Sequence, residues 1–316
     1  MKRFLTGAII AVLLVGAFLL REVNIYLFDI CIGVFTLFAS LEVSKLLINA
    51  KKGALVLPVL LYTAVSYLFL LLGINNGLSV GKLLIGLVLL LIVLFICVIA
   101  YTYYAKERTM LRMELDEYKG SRKAYALSST ISTVFNCIYP SLILLLLIIV
   151  NHIDAFSADL TKLSSFGGTD IGLILLLTIF VTSIFSDVFA YFVGMLIGGK
   201  KLCPKISEHK TISGAIGALF GSVLGGVVLY ILMCTNGLIV NGFDAINLTL
   251  IGFIFISIGA SIFTQLGDLF ESLLKRKANV KDSGNILPGH GGLMDRADGL
   301  TFNTVFILVL FVILLI

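Results

Sequence analysis

The sequence predicts an all-α membrane protein, a polytopic bundle of about nine transmembrane helices, and three observations carry that prediction. Of its 316 residues, 59% are hydrophobic and only 13% are charged, about half the charged share of a soluble domain. The apolar residues gather in runs near the roughly 20 residues that a spanning helix needs. The runs also lack the strict alternation of a membrane barrel. Helices, which satisfy their own backbone polar groups, are therefore the spanning element.

The runs fall at 4–20, 24–49, 54–74, 81–104, 127–150, 170–198, 211–234, 246–270 and 300–316. The first follows Met1-Lys2-Arg3 and begins like a secretory signal. Arg21-Glu22-Val23-Asn24 stands where a small-residue cleavage site would, so the run is read as the first membrane helix. Its link to the second run is short enough for a hairpin. Runs 170–198 and 246–270 are long and are expected to tilt or protrude into water. The stretch 105–124 is the most polar. Its weak apolar stripe (Met110, Leu111, Met113, Leu115) would suit an extension of the preceding helix into the cytoplasm or a helix on the membrane surface, but the stretch is read as a solvated connector.

The net charge of +5 does not point to nucleic acid, because the basic residues are distributed by topology. Loops 45–52, 105–126, 199–210 and 271–299 hold 18 of the 23 Lys and Arg residues, and the alternate loops hold 5. The richer set is expected in the cytoplasm, with the N-terminus outside and the C-terminus inside. The five cysteines show no CxxC spacing and four lie in apolar runs, so neither a disulfide framework nor a zinc site is expected. Trp is absent, which leaves Tyr and Phe to form the aromatic belts.

Ionisable groups inside such runs cost roughly 2.5–3.5 kcal/mol at a helix centre, so each asks for a reason. Glu42, near the cytoplasmic end of the second run, is expected to reach water beside Lys45. Asp187, Tyr191, Gly194 and Gly198 share one helical face. The glycines there suit close helix packing, but packing does not explain a carboxylate. Asp268, Ser272 and Lys275 share another face, at a cytoplasmic helix end.

The loop that follows, 281–298, concentrates Lys281, Asp282, His290, Asp295, Arg296 and Asp298 with four glycines, among them Gly291 and Gly292. Glycines let backbone N–H groups approach an anion. Asp295 and Asp298 suit a hard cation, and Arg276, Lys281 and Arg296 suit phosphate. Phosphoryl or nucleotidyl transfer needs this mixture of carboxylate-held magnesium and cations around phosphates. The loop 199–214 adds Lys200, Lys201, Lys205 and Lys210 with Ser207 and Thr211 on the same side. The active site is thus expected at the cytoplasmic membrane boundary. The chain divides into N-terminal helices (1–104), a polar cytoplasmic connector with one helix (105–150) and a catalytic transmembrane region (151–316).

The run from Ser272, Lys275 and Arg276 through Lys281, Asp282, Gly284, Leu287, Pro288, His290, Gly291 and Gly292 to Asp295, Arg296 and Asp298 resembles the signature of phosphatidate cytidylyltransferases, or CDP-diacylglycerol synthases. The stretch from Asp187 through Tyr191, Gly194, Gly198, Lys200, Pro204, Ser207, Lys210 and Thr211 to Gly214 and Gly217 is also similar. Three positions depart. Glu208 stands where the family has proline, and Ile212-Ser213 replaces the Trp-Glu that usually follows Lys-Thr. The resemblance covers about 170–300.

It implies transfer of a cytidylyl group from CTP to phosphatidic acid, giving CDP-diacylglycerol and diphosphate, with Mg²⁺ and a monovalent ion such as K⁺. Asp268 and Asp295 would hold the metal with Asp298 nearby. Lys200, Lys210, Arg276, Lys281 and Arg296 would face phosphate. Asp187, Ser207, Ser272, Lys275, Asp282, His290, Gly291 and Gly292 would line the substrate. The family is dimeric, so a homodimer in the cell membrane is expected. A CTP-dependent polyprenol or dolichol kinase would use the same nucleotide but lacks this signature. An ion-coupled transporter would place intramembrane charges in both halves, whereas here they concentrate in the second.

Overall fold

The computed structural model describes residues 2–104, 122–156, 170–235, 249–287 and 291–315. Its α-helices, in chain order, are α1 Lys2–Val23, α2 Ile25–Asn49, α3 Val56–Asn75, α4 Val80–Tyr104, α5 Arg122–Asn136, α6 Ile143–Asn151, α7 Ile171–Ile197, α8 Ile212–Thr235, α9 Leu250–Lys277 and α10 Asp298–Leu315. A stretch at Cys137–Leu142 joins α5 to α6 across a kink, where Tyr139 has non-helical φ −118° and ψ 112° and is followed by Pro140. Eight described helical stretches are long and apolar enough to cross a membrane, and Asp298–Leu314 is a shorter apolar helix. Together they match the nine runs read from the sequence, and the chain is a multi-pass membrane protein. The first two runs are separate helices of spanning length. Asn24 parts them and caps α2 by accepting from the Tyr26 N–H. Residues 105–121 of the polar connector fall outside the described residues.

The chain separates into two compact units, Met1–Leu145 with Leu274–Asp295, and Leu146–Leu273 with Arg296–Ile316. In the first unit α1 packs on α2, α2 on α3, α3 on α4 and α4 on α5. Val59, Tyr62 and Cys137 form a buried cluster with Leu90, Leu91 and Leu94 against it. Lipid tails are as apolar as leucine, so helix association in a membrane leans on close packing and hydrogen bonds. A buried polar knot supplies them. Asn136 Nδ2 donates to Ser40 O at 3.1 Å and to Ser44 Oγ at 2.6 Å, and Ser40 and Ser141 share a hydroxyl contact of 2.8 Å.

In the second unit, α7 and α8 lie along one another. Gly217, Gly221 and Gly225 of α8 face Val193, Phe189 and Phe185 of α7, and a Cβ at Gly221 would come within 2.5 Å of the Phe185 carbonyl. Side chains there would force the helices apart. Asp170 and Asp154 satisfy the first amides of α7, accepting from Leu173 N at 2.8 Å and Gly172 N at 3.0 Å. Asn303 of α10 donates to Ile179 O, Thr182 Oγ1 and Ser183 Oγ at 2.8–3.0 Å.

One feature exceeds the helical expectation. The lysine-rich loop after α7 folds into an antiparallel hairpin, β1 Lys201–Cys203 with β2 Ser207–Thr211. Gly198 and Gly199, at φ +64° and +104°, turn the chain out of α7 through a region that favours glycine. Ile212 N then donates to Lys200 O at 2.9 Å and closes the hairpin onto α8.

Candidate functional site

The predicted site residues gather in two clusters, one in each unit. In the first unit the centre is Asp295, whose side chain is 7% exposed and whose Oδ1 accepts from Lys275 Nζ at 2.7 Å. Lys275 comes from the last turn of α9 and is itself 13% exposed. Oδ2 accepts two backbone amides, Ser283 N at 2.9 Å and Gly292 N at 2.7 Å. Leu287 N donates to Gly291 O at 2.9 Å. Gly291 has φ +83°, and a Cβ there would stand 2.5 Å from Asp295 Oδ2. Glycine is required at that position by both backbone conformation and space.

Burial on its own would raise the Asp295 carboxyl. The Lys275 charge, the Lys275 hydrogen bond and the two backbone amides outweigh it and hold the group below the usual carboxylate range. Asp295 is therefore ionised at neutral pH. A carboxylate offers about four acceptor positions. Among the described residues three protein donors reach that of Asp295, a group already committed to negative charge.

The sequence reading is corrected at Glu42. It does not reach water, being 1% exposed. Oε1 accepts from Leu293 N at 3.0 Å, and Oε2 accepts from Met294 N at 2.8 Å and Ser283 Oγ at 3.3 Å. Backbone and hydroxyl donors replace the water that hydropathy alone would assign to it. A Cβ on Gly292 would come within 2.5 Å of Oε2, so the loop approaches this carboxylate as closely as glycine permits. Arg276, Lys281 and Asp282 are exposed, and His290 lies outside the described residues.

In the second unit Lys210 Nζ pairs with Asp268 Oδ2 at 2.6 Å, with side chains 23% and 34% exposed. Asp187 interacts electrostatically with Asp268, Lys210 and Arg296. Asp187, Lys200 and Arg296 are exposed, and Ser207 and Ser272 are half-buried. Next to Lys210, Thr211 Oγ1 accepts from Gly214 N at 3.1 Å and caps α8. Gly194 fits against this corner, since a Cβ on it would lie 3.1 Å from Thr211 Oγ1. Ser213, where the resemblance expects an acid, donates to the Gly198 carbonyl and contacts Thr211 Oγ1 at 3.0 Å. Asp298 is buried at the head of α10, where its Oδ1 accepts from Gly299 N at 2.8 Å.

Among the described residues, no three His, Cys, Asp or Glu side chains gather as a metal set. Magnesium is commonly held by one or two carboxylates plus substrate phosphates. The carboxylate oxygens of Asp268 and Asp295 are donors of the kind that chemistry uses.

A family model described as the cytidylyltransferase family matches residues 1–314. Proteins named phosphatidate cytidylyltransferase are similar over part of the chain. The Brucella abortus protein is 44% identical over 115 residues, 36% of this chain and 38% of that protein. The Bacillus subtilis protein is 44% identical over 117 residues, 37% of this chain and 39% of that protein. The Haemophilus influenzae protein is 41% identical over 130 residues, 41% of this chain and 43% of that protein. The matched part of the chain thus spans about two fifths of the length of these curated relatives.

Proposed function

The chain belongs to the cytidylyltransferase family, and on that premise we propose that it transfers the cytidylyl group of CTP to phosphatidic acid, releasing diphosphate. The observation that carries the reading is Asp295, held ionised by Lys275 and two loop amides within a glycine-built turn.

A phosphate oxygen of phosphatidic acid attacks the α-phosphorus of CTP in line. The new P–O bond forms as the bond to the β-phosphate oxygen breaks, and diphosphate leaves. A phosphate monoester is already ionised at neutral pH, so no general base is needed. The protein's task is to bring two polyanions together and offset their charge. Lys200, Lys210, Arg276, Lys281 and Arg296 serve as phosphate cations. Asp187, Ser207, Ser272, Asp282, His290, Gly291 and Gly292 line the substrates. Asp268 and Asp295 would each offer carboxylate oxygen to Mg²⁺, with Asp298 supporting and K⁺ as a second ion. Bound metal would supply charge neutralisation at the phosphates.

The excess of Lys and Arg in alternate loops supports an active site on the cytoplasmic side, with the N-terminus outside and the C-terminus inside, and the proposed working form is a homodimer. The test uses purified protein in detergent, phosphatidic acid, Mg²⁺ and CTP labelled at the α-phosphate. Label should move into the lipid phase and stop on addition of EDTA. Transfer of γ-label to a polyprenol instead would overturn the reading in favour of a kinase.

A further inference from the structure

We propose that Glu42 is a positioning residue for this reaction: from α2 it holds both ends of the 283–294 loop so that the Ser283 and Gly292 amides stay aimed at Asp295. The inference rests on the cytidylyl-transfer reading for its kinetic consequence, though not for its geometry.

Two carboxylates grip the same two loop ends. At the first end, Ser283 gives its amide to Asp295 and its hydroxyl to Glu42. At the second, Gly292 N goes to Asp295, while the next two amides, Leu293 N and Met294 N, go to the two oxygens of Glu42. Neither carboxylate can shift without moving a donor of the other. The packing allows little slack. Ser283 is 4% exposed and Met294 is fully buried, and a Cβ on either Gly284 or Gly292 would press on the Glu42 carboxyl group. A buried carboxylate on a membrane helix is costly. Among the described residues its donors belong to this one loop, so the cost is matched by order in the loop. Small errors in the placement of reacting groups lower turnover steeply, so a residue that never touches substrate can still set the rate.

The experiment compares wild type with Glu42→Gln and Glu42→Asp in detergent, in three measurements. These are α-label transfer, hydrogen–deuterium exchange across 283–296, and thermal unfolding. Gln keeps the size but turns an NH₂ toward a backbone donor. Its kcat should fall about 30-fold or more, with KM for CTP changed less than about threefold. Exchange at Leu293 and Met294 should quicken at least about tenfold, with the unfolding midpoint moved only a few degrees. Asp keeps both acceptors at shorter reach and should recover part of the kcat.

Unchanged exchange in Glu42→Gln would overturn the proposal whatever the activity. Faster exchange with wild-type kcat would overturn the link to chemistry. A kcat loss that only tracks the folded fraction would reduce Glu42 to a stability role and also overturn it. Should Glu42→Gln fail to fold, Ser283→Ala removes one donor from the same carboxylate, and the same readouts decide. If wild type moves no α-label, the cytidylyl reading fails, and exchange still decides whether Glu42 sets the loop.

Discussion

The two clusters solve the problem of holding a carboxylate in different ways. Asp295 is nearly buried and fixed by a lysine and two backbone amides. Asp268 is about one-third exposed and pairs with Lys210, which stands on a hairpin strand. Backbone donors cannot change rotamer, so the first arrangement is preorganised. A lysine on a flexible stem can exchange a carboxylate for a phosphate, so the second can adapt. The contrast teaches that one cluster has a fixed geometry and the other an adjustable one.

The largest effect should come from the fixed cluster. Asp295→Asn should lower α-label transfer by about a thousandfold or more, while size-exclusion chromatography shows an intact protein. Near-normal turnover would remove Asp295 from the chemistry. Asp268→Asn should follow, with about a hundredfold loss and little change in thermal unfolding because its surroundings are partly solvated. If this variant unfolded more readily than Asp295→Asn, the contrast between fixed and adaptable clusters would be reversed.

A third substitution separates the clusters by pH. Asp295 titrates below its unfolded value of roughly 4. The stability it contributes is therefore complete above that value and is lost as pH falls through the folded one. Lys275→Met removes the main group holding the carboxyl down and leaves a buried charge unpaired. It should cost about 3 kcal/mol at neutral pH, and acid unfolding of the variant should begin at higher pH than in wild type. Melting curves between pH 3 and 8 would show it, and an unshifted acid limb would break the assignment. Smaller again, Asp154→Ala should cost about 1 kcal/mol with kcat intact, because it takes an acceptor from the Ile171 and Gly172 amides at the start of α7. Smallest of all, truncating the exposed Lys205 to Ala should leave melting unchanged and transfer within about twofold, since lone exposed charges contribute little.

Much of the architecture was legible before the structure, because a membrane helix must bury a long apolar run and hydropathy measures that directly. All nine runs became helices. The 281–298 loop stood out for the same reason in reverse, since glycines and charges are conspicuous between apolar helices. Lys210 with Asp268 and Lys275 with Asp295 are partnerships that composition could nominate without assigning. Two features escaped. The hairpin at 201–211 is short, and its lysines look the same on a strand as in a coil. Glu42 escaped because its partners lie 241 to 252 residues away in sequence. Its surroundings on α2 are ordinary, and nothing local reveals that a distant backbone will supply its hydrogen bonds. A carboxylate near a lysine at a helix end reads as solvated unless the far loop is known.

The reach from α2 to the loop also bears on how the chain is made. Helix α2 leaves the ribosome more than two hundred residues ahead of Met294. The seat for the loop can thus be inserted in the bilayer before the loop is synthesised, and the late segment has a waiting acceptor rather than a partner to search for. The same order sets a limit on dissection. A fragment beginning at α7 would carry the whole recognisable signature, yet it would emerge with the amides of Leu293 and Met294 deprived of their receptor. Expressed alone, such a fragment should be a target for quality-control proteolysis rather than a minimal enzyme.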